Sequence, residues 1–202
     1  MITIHHHPDS TFARRVAMAL IEKDIPHEKV LVDMAARAHR SPAYRALNPY
    51  GRVPTLVDDG FVLYESTAIL DYLEAHFPAP ALVPADMQGR ALVAMHMKLC
   101  DLQMARQTGI IIFPKRFLPP ARWNNDAMAL ARAEIEDHLA ILETQLAGRS
   151  YLVADAYSLA DLCYTPFLQF LALMEITPPP TVAAWAARLL ERPSARQTAP
   201  MR

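Results

Sequence analysis

"GRVPTLVDDG", residues 51–60, holds a contradiction within one short run. Val53, Thr55, Leu56 and Val57 are strand-forming residues, yet Pro54 stands among them with no N–H to give a ladder. Proline belongs at a strand's first position, on an edge or in a bulge, so a strand is expected to start just after it. Downstream, Asp59-Gly60 is a hairpin turn signal, and "FVLY" supplies the returning strand. X-Pro bonds are mostly trans, so this stretch by itself predicts a trans proline opening a strand.

Toward the N-terminus, "ITIHH" is expected as a first strand, and Phe12, Val16 and Leu20 recur at intervals of four, the apolar stripe of a helix. "KVLVDM" is expected as a second strand. A helix through Ile69, Tyr72 and Leu73 follows the hairpin. The order is βαβ, a connecting segment, then ββα. The helix between the first two strands makes them parallel, and the tight turn makes the last two antiparallel.

The second half has a different grammar. Met128, Ala131, Ile135, Leu139, Leu142 and Leu146 step by three or four, as one helix face does. Ser158 with Asp161 three residues on is a capping-box variant, and a last helix around Val182, Trp185 and Leu189 is expected to stop at Pro193. Between the halves lies "FPAPALVPAD", where Pro78, Pro80 and Pro84 prevent a continuous helix. The expected organisation is an α/β domain over 1–77, a linker over 78–85, and an all-helical bundle domain over 86–202.

Composition narrows the function classes. With 52% hydrophobic and 20% charged residues the chain is a folded globular protein, and a net charge of -1 with scattered basic residues leaves no nucleic-acid footprint. Cys100 and Cys163 fit neither metal spacing nor a disulfide framework, and are expected as buried thiols of a reducing, cytoplasmic compartment. No cationic start, export signal or long apolar run indicates a membrane. His5, His6 and His7 invite a metal, but strand side chains alternate between faces, so the three do not converge and no metal is expected.

A βαβ–ββα unit with a proline just before its third strand resembles the thioredoxin fold. With an all-helical domain appended, the chain resembles the cytosolic glutathione S-transferases of the bacterial, serine type. Four marks carry this in order along nearly the whole chain: "PDSTFARRVAMAL", "NPYGRVPTLVDDG", "LYESTAILDYL" and "YSLADLCYTPFL". The resemblance implies a cis bond before Pro54, reversing the local expectation. It implies that the N–H and C=O of Val53 then turn outward and pair with the cysteinyl backbone of glutathione, as one added antiparallel rung.

The sulfur end allows two readings. Ser10 and Thr11 stand before the first helix, where a hydroxyl caps it for reasons unrelated to catalysis. The resemblance implies that Ser10 also donates to the glutathione thiolate, beside a helix N-terminus that favours an anion, with Thr11 adjacent. The thioredoxin-type Cys-x-x-Cys is replaced here by Ser10 and Ala13, which disfavours disulfide exchange. At the glutamyl end Ser66 is expected as an N-cap; the resemblance adds that Ser66 takes the γ-glutamyl carboxylate while Glu65 faces the ammonium. It further points to Arg52 and His39 for the glycyl carboxylate, and to Asp101 reaching across a homodimer to the glutamyl ammonium. Met104, Ile110, Phe113 and Phe117 are named as lining the second-substrate pocket for a partly apolar electrophile.

The expected function is therefore conjugation of the glutathione thiolate to a small electrophile. Two alternatives stand beside it. One is a glutathione-dependent isomerase or peroxidase, although the Ser-Ser-Cys of the maleylacetoacetate-type isomerases is Ser10, Thr11 and Phe12 here. The other is a noncatalytic partner-binding module on the same fold.

Overall fold

A computed structural model describes residues 1–200, which divide into two compact units: Met1–Leu82 together with the residues from Pro193 onward, and Val83–Arg192. The tail from Pro193 packs with the first unit, whereas the sequence placed it in the helical domain. Pro193 does not merely end the preceding helix; it opens a short one of its own.

The first unit contains β1 (Ile2–His6), α1 (Thr11–Glu22), β2 (His27–Leu31), a 3-10 turn (Ala38–Arg40), α2 (Pro42–Leu47), β3 (Thr55–Asp58), β4 (Phe61–Tyr64) and α3 (Ser66–His76). The sheet order is β2-β1-β3-β4, with β1 and β2 parallel and the other pairs antiparallel. The second strand sits earlier than "KVLVDM". It pairs only with β1, from Ile2↔His27 to His6↔Leu31, so it starts and stops where its neighbour does. Ile4 and Leu56 face each other across β1 and β3, and both are buried. Asp59 and Gly60 take φ of 45° and 90°, the left-handed turn that the strand twist asks for.

Helix α1 packs against α3, and every residue from Ala13 to Leu20 is buried. The first residue of the expected stripe is the exception: Phe12 is 38% exposed, against 0% for Val16 and Leu20. At the far end of α1, the buried Lys23 ammonium meets Glu74 at 2.6 Å and the carbonyls of Phe77 and Pro80 at 2.7 and 2.8 Å. It ties the ends of α1 and α3 to the proline-rich segment.

The second unit contains α4 (Met87–Leu99), which runs on through a π-helical segment (Cys100–Ala105) into α5 (Arg106–Phe117). Then come a 3-10 turn (Pro120–Arg122), α6 (Asn125–Gln145), α7 (Leu159–Leu168), α8 (Leu171–Met174) and α9 (Pro180–Leu190); α10 (Pro193–Gln197) belongs to the first unit. All six residues of the α6 stripe are buried, as their spacing predicts. Helix α7 is buried along its whole length. Its start is the expected capping box: the Asp161 carboxylate accepts from the Ser158 backbone N–H at 3.0 Å and its hydroxyl at 3.1 Å. It also accepts from Leu152 N at 3.1 Å and Trp185 Nε1 at 2.9 Å. Burial nonetheless holds the Asp161 pKa above the usual carboxylate range. Cys100 and Cys163 are buried thiols, and Cys100 Sγ donates to the Cys163 carbonyl at 3.4 Å. Among the described residues no helix is long and apolar enough to cross a membrane.

Candidate functional site

The segment around Val53 and Pro54 forms one wall of a cleft in the first unit. The Val53–Pro54 bond is cis, and β3 begins at Thr55, directly after the proline. Gly51 leads into it with φ of 59°, its α-carbon so close to His39 that a Cβ would meet the His39 carbonyl oxygen at 2.7 Å. Only glycine combines that dihedral with that approach. The Arg52 carbonyl accepts from Tyr44 Oη at 2.7 Å and from Asn48 Nδ2 at 2.9 Å. Among the described residues the N–H and C=O of Val53 form no hydrogen bond.

Around this wall lie Phe12, Asn48, Arg52, Val53, Pro54, Glu65 and Ser66, enclosing about 90 Å³. Five of these, Arg52, Val53, Pro54, Glu65 and Ser66, were expected at a site from sequence. Phe12 and Asn48 were not. Asn48 opens the mark "NPYGRVPTLVDDG", but nothing local in the sequence gives this asparagine a task.

Two helix starts differ in a way that matters for anions. At α1 the Ser10 backbone N–H donates to the His7 carbonyl at 3.0 Å, and Ser10 Oγ accepts from Ala13 N at 3.2 Å, so Ser10 is the cap. Its hydroxyl proton remains available to donate. Thr11 is the first helical residue and is buried. At α3 the expectation needs correction: Ser66 is not the N-cap but the first helical residue, buried, and the cap position is Glu65 with φ of 72° and ψ of 116°. No side chain caps α3. Its first N–H groups are therefore left for water or a ligand. Ser66 Oγ instead accepts from the fully buried Arg15 Nη1 at 3.4 Å, and the Arg15 guanidinium stands 5.0 Å from the Phe12 ring centre.

The remaining expected residues are dispersed. His39 lies half-buried in the 3-10 turn, its pKa lowered by burial and then by the charges of Arg40, Arg37 and Arg45. Asp101 stands half-buried in the π-helical segment of the second unit. Met104 has no exposed surface and belongs to the core, which removes it as a pocket-lining residue. Ile110, Phe113 and Phe117 are 37%, 56% and 55% exposed on α5, the two phenyl rings 5.4 Å apart. Burial lowers the pKa of His5 and His6, and among the described residues no three His, Cys, Asp or Glu side chains are placed to hold a metal ion.

Residues 4–81 match the family model described as the glutathione S-transferase N-terminal domain, and residues 125–188 the one described as its C-terminal domain. Glutathione S-transferase APIC of Nicotiana tabacum is 32% identical over 202 residues, spanning 96% of this chain and 94% of its own length. The chain belongs to the glutathione S-transferase family.

A glutathione S-transferase of Silene vulgaris is 30% identical over 218 residues, covering 98% of this chain and 96% of that protein. Among solved structures, the theta class glutathione S-transferase of Xanthomonas axonopodis pv. citri with glutathione bound superposes with a TM-score of 0.89 at 31% identity, over 100% of this chain and 98% of that one. A glutathione transferase of Populus trichocarpa shares the fold, with a TM-score of 0.90 at 23% identity, covering 98% of this chain and 97% of that one. The expected fold, a thioredoxin-like sheet domain with an all-helical domain, is that of this family, and the expectation of a glutathione S-transferase enzyme holds at the same level.

Proposed function

We propose that this chain is a glutathione transferase, which binds glutathione in the cleft of the first unit and directs its thiolate at a small electrophile with apolar surface. One observation supports this above the rest: Val53 offers an unpartnered N–H and C=O beside Glu65, Ser66 and the uncapped start of α3. The cysteinyl backbone of the tripeptide adds one antiparallel rung on Val53. The α3 amides and Ser66 take the γ-glutamyl carboxylate, and Glu65 faces its ammonium. Arg52 and His39 serve the glycyl carboxylate. Ser10, with Thr11 beside it at the start of α1, donates its hydroxyl proton to the thiolate, which lowers the thiol pKa and holds the nucleophile.

The thiolate attacks an electrophilic carbon; a carbon–sulfur bond forms as the leaving group departs with its electron pair. Binding both reactants replaces a bimolecular encounter. Ile110, Phe113 and Phe117 give α5 the apolar surface that suits such an electrophile. The reading extends to a cytoplasmic homodimer in which Asp101 reaches the glutamyl ammonium of glutathione bound by a second copy.

Titration calorimetry with glutathione, followed by turnover of a chlorodinitrobenzene by the unaltered protein and by Ser10→Ala, tests the reading. Saturable heat and a turnover that collapses in the variant support it. Heat without conjugation favours the isomerase or peroxidase alternative, and no heat at millimolar glutathione favours the partner-binding module.

A further inference from the structure

The loop that carries Val53 is held from both sides by two residues outside the expected site. Tyr44 is buried on α2, in one cluster with Ala13 of α1, Val32 and Val53, and its ring lies edge-on to His5 at 5.9 Å. Its hydroxyl donates to the Arg52 carbonyl at 2.7 Å and shares a hydrogen bond with Thr55 Oγ1 at 3.0 Å. Asn48 Nδ2 reaches the same two oxygens, at 2.9 and 3.2 Å, while Asn48 Oδ1 accepts from Tyr50 N at 3.1 Å. These two oxygens bracket Val53–Pro54 in the chain. The chain is therefore held before Val53 at the Arg52 backbone oxygen and after it at the Thr55 hydroxyl, and the polar groups of Val53 take no part in the holding.

We infer that Tyr44, together with Asn48, is a positioning residue for glutathione: clamping Arg52 and Thr55 holds the Val53 rung in its binding geometry before the ligand arrives. The inference rests on the proposed glutathione site. Its physical content is pre-organisation, since a loop already ordered loses less freedom when the tripeptide binds. Tyr44 reaches glutathione only through the backbone it holds. The effect therefore falls on glutathione affinity and leaves the electrophile alone.

Tyr44→Phe deletes one oxygen and keeps the ring in its cluster. One net hydrogen bond corresponds to about a five-fold change, so the glutathione Kd by calorimetry and the KM for glutathione are expected to rise about five-fold. The KM for a chlorodinitrobenzene stays constant, and kcat at saturating glutathione changes by less than about two-fold, the pattern of lost affinity without lost chemistry. Tyr72→Phe is the control, because it deletes an equivalent phenol that donates to Asp58 at 2.8 Å, away from the loop. Thr55→Ala removes the second hydroxyl of the clamp and carries the same expectation should Tyr44→Phe not fold. A glutathione Kd unmoved in the clamp variants, or moved equally in Tyr72→Phe, overturns the inference and leaves the proposed function standing. No binding by the unaltered protein overturns both.

Discussion

Acid should weaken this protein through one histidine of the helical unit. His138 is 4% exposed on α6, its Nε2 is 2.9 Å from Tyr164 Oη, and the two rings stack at 5.7 Å. Burial first, and the nearby His96 second, lower its pKa from 6.5 to about 4. In the unfolded chain the imidazole takes its proton near pH 6.5; the folded chain refuses it until about 4. Because the folded-state value is the lower one, this stability is complete at neutral pH, falls as pH drops through 6.5, and stops falling near 4. A shift of that size is worth about 3 kcal/mol in full, of which about 2 kcal/mol is lost between pH ~7 and ~4.5. His96, also lowered by burial, acts in the same direction, whereas Asp161, raised by burial, acts against it. Urea unfolding at the two pH values, on the unaltered protein and on His138→Gln, isolates the contribution. The variant should lose about 2 kcal/mol less than the parent on acidification. Equal losses in both proteins would refute the reasoning.

Three further outcomes are expected. Ser10→Ala should lower stability by about 1 kcal/mol through the lost cap as well as suppress conjugation, and Ser10→Asn should restore the stability alone; recovery of rate in Ser10→Asn would remove the hydroxyl from the chemistry. Lys23→Ala should cost about 3 kcal/mol in urea unfolding, because Glu74 and two carbonyls lose a buried cation; a cost under about 1 kcal/mol would show that water replaces it readily. Gly51→Ala should destabilise by about 2 kcal/mol and weaken glutathione binding with it, read by thermal melting and calorimetry, since the added carbon meets the His39 carbonyl at a φ that alanine avoids. An unaltered melting temperature in that variant would mean that the loop yields cheaply.

What the sequence revealed was whatever short-range chemistry decides. The Asp59-Gly60 turn, the α6 stripe and the Ser158–Asp161 box lie where their patterns put them, because each depends on residues a few positions apart. The second strand slipped because its extent is set by the register of β1, not by its own composition. Ser66 falls one position past the cap for a related reason: serine before an apolar run is a strong capping signal, but Glu65 takes the cap position with a backbone dihedral that no composition rule announces. The cleft-lining set was only partly legible. Arg52, Val53, Pro54, Glu65 and Ser66 came from resemblance, whereas Tyr44, which holds the loop without lining the cleft, meets Thr55, 11 residues away, only after α2 has folded back over the loop. Met104 failed because an apolar helical stripe looks the same whether it faces a pocket or the core.

The dihedral at Glu65 also bears on how the protein can be improved. A side chain held at φ of 72° and ψ of 116° stores conformational energy, of the order of 1–3 kcal/mol, that glycine would release. If Glu65 faces the glutamyl ammonium as proposed, glycine would also remove that contact. A library of variants ranked by heat resistance should therefore enrich glycine at this position while losing affinity for the tripeptide, so durability and recognition pull the same residue in opposite directions.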